Sequence, residues 1–164
     1  MANDYTEFST EMPLYSKEER EWFERHLVDV EDEGQLDDDE NPITDEIKLM
    51  QKICEDEDAE HYEFKYKFIE PEEPDDLLYI MFYVTDNGEP YQVACLVHAF
   101  LKEMKKGQGF TFSLTWANYC SKSRPDSFGG GTVIATEYGV GWCGHIAQYE
   151  CAKLSVTDPF EERR

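Results

Sequence analysis

Apolar residues recur along this 164-residue chain at two spacings, and each change of spacing marks an element. In "SKEEREWFERHLVDV", Trp22, Phe23, Leu27 and Val30 fall at near-helical intervals. Ser16 stands three residues before Glu19, the pattern of a capping box. A second helix is predicted through "NPITDEIKLMQKIC", with Thr44 as N-cap and Ile43, Ile47, Met50, Ile53 and Cys54 on one face. The period then becomes two. "HYEFKYKFIE" sets Tyr62, Phe64, Tyr66 and Phe68 against His61, Glu63, Lys65 and Lys67, as a half-buried strand does. "LLYIMFYVTD" is continuously apolar, as a central strand would be, and Asn87-Gly88 stops it.

"YQVACLVHAFLKEMKK" returns to helical spacing, with Val93, Ala94, Val97, Phe100, Leu101 and Met104 on one side. Lys102, Lys105 and Lys106 gather in its last turns, where the helix dipole favours cations, and Gly107 ends it. His98, near the apolar stripe, reads as a boundary packing residue. "FTFSLTWA" alternates again, with Phe110, Phe112, Leu114 and Trp116 inward, and "GTVIATEYG" and "WCGHIAQYECAKL" read as two more strands.

The order α, α, β, β, α, β, β, β predicts an α+β fold: an antiparallel sheet of about five strands with a helix packed on one face, preceded by an acidic helical N-terminal region. Residues 1–60 form that acidic, mainly helical region with acidic loops, and 61–164 the α+β core, the two read as one continuous domain. The β-α-β rhythm of doubly wound nucleotide-binding folds is missing.

Charge changes the picture most. The formal net charge is -22. Residues 1–76 hold 28 Asp and Glu against 7 Lys and Arg; residues 77–164 hold 9 against 8. The acids cluster as "EDE" at 31–33, "DDDE" at 37–40, "EDED" at 55–58 and "EPEEPDD" at 70–76. Patterned apolar residues interrupt them, so the acids are expected to decorate folded elements, with looser loops at about 31–41 and 55–60. Such blocks also serve plain solubility.

Other chemistry is sparse. The cysteines Cys54, Cys95, Cys120, Cys143 and Cys151 are odd in number and lack a C-x-x-C pair, so they read as reduced, small hydrophobes. Cys143 and His145 fall short of a four-ligand metal set; neither metal nor cofactor is expected. No apolar run reaches the ~18 residues of a membrane span, and "MANDYTEFSTEMPLY" lacks the features of a secretory signal. A cytoplasmic protein is expected.

"KSRPDSFGGG" raises the question of a phosphate loop. Its glycines lead into a strand pattern rather than a helix, and no lysine comes directly after the last one, so the P-loop reading fails. Ser127 lies near Asp126 with no base between them, which leaves catalysis unsupported locally. A secondary loop site of Lys122, Arg124, Ser127, Gly129, Gly130 and Gly131 would suit a carboxylate or phosphate; internal pairing with the acidic half is the structural alternative. "FTFSLTWANYCSKSRPDSFGGGTVIAT", with the preceding helix, resembles a segment of small acidic uncharacterised proteins of bacteria, their phages and mobile elements, which carry a "SKPR" turn before "FGGG". Ser123 stands where that pattern has proline. The resemblance spans about residues 77–137 and implies a shared core with no activity attached.

These features suit three functions. The first is an inhibitor that mimics nucleic acid. A duplex carries about one charge per 1.7 Å, so the acidic half matches ~36 Å of duplex, roughly ten base pairs. Such a protein would block a basic DNA- or RNA-handling host protein through Glu31, Asp32, Glu33, Asp37, Asp38, Asp39, Glu40, Glu55, Asp56, Glu57 and Asp58, and serve a phage or mobile element against host defence. The second is an adaptor or immunity-type module that uses acid for steering and Trp22, Trp142 or tyrosines as anchors. The third is an enzyme built on the 120–131 loop. None binds nucleic acid directly or a membrane.

Overall fold

The strand least visible in the sequence stands in the middle of the sheet. The computed structural model describes residues 4–27, 44–55, 59, 61–73, 75–121, 129–143 and 156–160. Its elements run β1 (Asp4–Leu14), α1 (Lys17–His26), α2 (Asp45–Glu55), β2 (Lys65–Ile69), β3 (Leu78–Val84), α3 (Pro90–Met104), β4 (Thr111–Cys120), β5 (Gly129–Thr136) and β6 (Gly139–Cys143). The six strands form an open sheet in the order β2-β3-β1-β4-β5-β6, every neighbour antiparallel. The fold is therefore α+β, and the six strands among the described residues are close to the expected five or so. Among the described residues, no helix is long and apolar enough to cross a membrane.

β1 is the addition. Phe8, Met12 and Leu14 are buried on one face, while Ser9 and Glu11 are exposed on the other. Register with β3 sets Thr10 against Phe82 and Met12 against Ile80, so this is the face that carries the core. Pro13, which has no N–H to give a neighbour, lies where β1 is no longer paired to β4: their register runs only from Asp4↔Cys120 to Phe8↔Trp116. Beyond it, the Thr10 hydroxyl donates to Ser113 O at 3.3 Å.

β2 is shorter than the period-two stretch that predicts it. Glu63 N–H donates to Gln92 Oε1 at 2.7 Å, and Glu63 O accepts from Glu89 N at 3.2 Å. The backbone at 63 is thus committed to the start of α3, while Tyr62 and Phe64 pack on the core from outside the sheet. Tyr66 is exposed, because among the described residues β2 is the edge strand of the sheet. The last expected strand contributes only Trp142 and Cys143 to β6; residues 144–154 lie outside the described residues.

α3 lies against β4, β5 and β6 and touches α2 on another side. Its burial goes all round, including Gln92, Cys95, Leu96 and His98 as well as the expected stripe. His98 is fully buried, not at a boundary. α1 closes the same core: Trp22 and Phe23 meet Phe100 with ring centroids 5.3 and 4.7 Å apart, and Phe23 meets Phe82 at 5.9 Å. Each large apolar side chain buried this way contributes about 1.5–3 kcal/mol. Trp22 Nε1–H donates to Glu103 Oε2 at 3.0 Å, so the buried indole keeps its hydrogen bond.

The helix starts agree with the sequence. Ser16 Oγ accepts from Glu19 N at 3.3 Å, and Thr44 Oγ1 accepts from Ile47 N at 3.2 Å. Val30 and Ile43, expected on helical faces, lie outside the described residues.

Candidate functional site

The densest acid lies in connections. Residues 28–43, between α1 and α2, carry eight Asp or Glu and no Lys or Arg. Residues 56–64, between α2 and β2, carry five and none, and residues 70–76, between β2 and β3, carry five and none. Eighteen of the formal -22 therefore sit in three links. Of the acids singled out by sequence, Glu55 is the exposed last residue of α2. Glu31, Asp32, Glu33, Asp37, Asp38, Asp39, Glu40, Asp56, Glu57 and Asp58 lie outside the described residues. Glu70, Glu72, Glu73, Asp75 and Asp76 are all exposed.

Among the described ion pairs, cations do little to offset these links. Lys17 pairs with Glu21 at 2.8 Å and Lys48 with Asp45 at 3.2 Å, both within their own helices. Arg20 reaches Glu24 and Glu70 at 2.7 Å each, and its guanidinium lies over the Phe68 ring. The Glu24 and Glu70 hydrogen bonds raise its pKa further above the ordinary value. Arg20 is the one cation among the described ion pairs that reaches an acidic link.

The glycines of "SFGGG" have a packing role. Gly129, Gly130 and Gly131 belong to β5 itself, opposite Asn118, Ala117 and Trp116. A Cβ on Gly131 would stand 2.3 Å from Cys143 O and 2.4 Å from the Trp116 ring, so only glycine lets the indole lie against this backbone. Gly130 adopts φ +148, a conformation glycine takes without strain. Of the proposed loop set, Lys122, Arg124 and Ser127 lie outside the described residues.

Two charged clusters that sequence spacing does not reveal are built on α3. Lys105, its C-cap, is buried and ion-paired to Glu19 of α1. The ammonium lies 4.7 Å from the centroids of both Tyr15 and Phe110, and Glu19 also accepts from Tyr15 N at 2.9 Å. Above it a cleft of about 390 Å³ opens where β1 and β4 part, lined by Met12, Tyr15, Phe100, Phe110 and Phe112 among others. Sequence marked Glu19 as a capping residue and Lys105 as a dipole partner; their union across 86 positions needs the tertiary fold.

The second cluster joins α3 to residues 156–160. His98 Nδ1 lies 2.7 Å from Thr136 O, to which it donates, and Nε2 faces Asp158 Oδ1 at 3.4 Å without making a hydrogen bond. Lys102 Nζ reaches Asp158 Oδ2 at 2.7 Å, and Phe160 N donates to Oδ1 at 2.8 Å. Burial pushes the Asp158 carboxyl up, but Lys102, the Phe160 N–H and His98 together outweigh it and hold it below the usual range. Both clusters tie elements together, Lys105 and Glu19 from inside and Lys102 from a half-exposed position.

Cys54, Cys95 and Cys120 are buried, and burial pushes the Cys54 thiol up to about 11, far from the thiolate that reacts. Among the described residues, no three His, Cys, Asp or Glu side chains converge as metal ligands would. Comparison of the chain with protein-family models, curated proteins and solved structures finds no match.

Proposed function

We propose that this chain is an acidic interaction protein that occupies the nucleic-acid-binding surface of a basic DNA- or RNA-handling protein, its carboxylates standing in for phosphates. The observation that carries the reading is the placing of eighteen negative charges in three links of one α+β fold. At one charge per 1.7 Å of duplex, that number corresponds to roughly 30 Å of DNA. Such an inhibitor suits a phage or mobile element opposing host defence in the cytoplasm. It needs no cofactor, and its own charge repels nucleic acid and anionic membranes.

A second reading, an adaptor whose acids only steer association, draws on two exposed aromatics. Tyr138 at the β5–β6 turn is 74% exposed and Trp142 on β6 is 57% exposed, and such rings serve as interface anchors. Capture from bacterial lysate at low and high salt separates the two. The comparison is a variant with residues 37–40 and 55–58 changed to Asn or Gln. Mimicry expects a basic nucleic-acid-handling protein that the parent retains, the variant loses and added DNA displaces. Equal retention by both forms, or no displacement by DNA, would sink it; loss on replacing Trp142 instead would favour the adaptor.

A further inference from the structure

The two edges of the sheet are finished differently. At β6, Val140 N donates to Thr157 O at 2.6 Å and Thr157 N to Val140 O at 2.8 Å, so a second segment covers part of that edge. Gly139 admits this approach: a Cβ there would stand 2.1 Å from Thr157 O. At β2, Lys65, Tyr66 and Lys67 are all exposed, and among the described residues the strand pairs with β3 alone. A strand bonded on one side leaves the N–H and C=O of every second residue aimed outward.

What surrounds this edge is specific. Tyr66 and Phe68 pair with Phe82 and Ile80, so they lie on the helix-bearing face, with Tyr66 41% exposed. Lys65 and Lys67 lie on the other face, and Lys67 Nζ stands 5.9 Å from the Tyr83 ring centroid. Exposed Glu63 and Asp86 flank the start of the strand, since Lys65 pairs with Tyr83 just before the β3–α3 link. Exposed Glu70, Glu72, Glu73, Asp75 and Asp76 flank its end. The strand is thus a short seam with acid at both ends, Lys65 and Lys67 on one face, and Arg20, paired to Glu70, over Phe68 on the other.

We infer that the β2 edge receives an extended segment of a basic partner protein as an added strand. This rests on the acidic-interaction reading and names the part of the partner that docks. Main-chain bonds to an open edge supply affinity, while the side chains on alternate faces supply selectivity. The segment carries Lys or Arg at both ends, against the two acidic flanks. Apolar residues face Tyr66 and Phe68, and the positions beside Lys65 and Lys67 carry no positive charge. A second copy of this chain is the wrong occupant, because it sets lysine beside lysine and acid against acid.

Amide hydrogen exchange on the full chain tests this with two synthetic peptides. One is Arg-Arg-Val-Thr-Val-Thr-Val-Arg-Arg, which alternates as a strand; the other is nona-arginine, which offers charge alone. The strand-forming probe is expected to slow exchange within residues 65–69 about tenfold, and nona-arginine to leave those amides unchanged while binding the acidic links. Protection confined to the acidic links with both peptides overturns the edge and spares the acidic reading. Binding of neither overturns both. Tyr66→Pro and Lys67→Pro supply a second test, since neighbouring N–H groups point to opposite sides. One of them cuts a β2–β3 bond and melts early; the other keeps the parent's melting temperature and should lose the protection. If that folded variant binds the probe as tightly as the parent, β2 is not the site.

Discussion

Charge is handled in opposite ways inside this molecule and along its links. Glu19 and Lys105, with side chains only 7% and 8% exposed, meet each other, and Asp158 meets Lys102 and His98. In the link at 70–76, five acids stand exposed and a single arginine reaches one of them. Burial makes an unpaired charge costly, so the core matches its charges. Water screens the link, so its acids can accumulate without a partner. Among the described acids of that link, Glu70 alone is ion-paired to another element, and the mutual repulsion of the rest works mildly against compactness.

The sharpest way to break this contrast is inside. Lys105→Met leaves the Glu19 carboxylate buried against Tyr15 and Phe110 without its partner, and is expected to cost about 3–5 kcal/mol in denaturant unfolding. Replacing both members, with Glu19→Gln added, should cost less than the sum of the single changes. A single-mutant loss below about 1 kcal/mol would mean that the pair is solvated after all.

A smaller effect comes from His26, whose ring stacks on Trp22 at 3.6 Å and donates from Nδ1 to Trp22 O at 2.7 Å. Burial lowers its pKa below 6.5, and the Trp22 hydrogen bond only partly opposes this. The unfolded ring therefore takes up a proton at a higher pH than the folded one. Its contribution is present above 6.5 and is lost as pH falls through the depressed folded value. Unfolding at pH about 7 and about 5 should show the parent losing more stability than His26→Gln. An identical loss in both proteins would remove His26 as the cause.

The smallest effect lies in the links. Changing Glu72 and Glu73 to Gln and Asp75 to Asn is expected to shift stability by no more than about 0.5 kcal/mol, upward at low salt. A drop of several times that amount would show the acids holding the fold together, and the contrast would fail.

The helices and most strands were legible because their apolar spacing is local. The strand at 4–14 was legible too, in part: Phe8, Met12 and Leu14 recur with period two. Thr10 interrupts that row, Pro13 argues against a strand, and the acids at 4, 7 and 11 resemble the solvated surface of the next helix. The glycines at 129–131 could be separated from a phosphate loop because "TVIATEY", immediately after them, has the pattern of a strand. Their actual neighbours, Trp116 and Cys143 O, come from strand register, which no local pattern encodes. The same holds for Glu19 with Lys105 and for His98 with Asp158, partners that meet only when helices and sheet are assembled.

The central place of β1 bears on how the chain folds during synthesis. It leaves the ribosome before both of its partners, β3 at 78–84 and β4 at 111–120. For most of translation Phe8, Met12 and Leu14 have no sheet to join, and closing a loop of roughly 100 residues to reach β4 is slow. Waiting strands of this kind are prone to aggregate. Residues 1–76 carry a net charge of -21 during that wait, and like charge of this size opposes association between nascent chains.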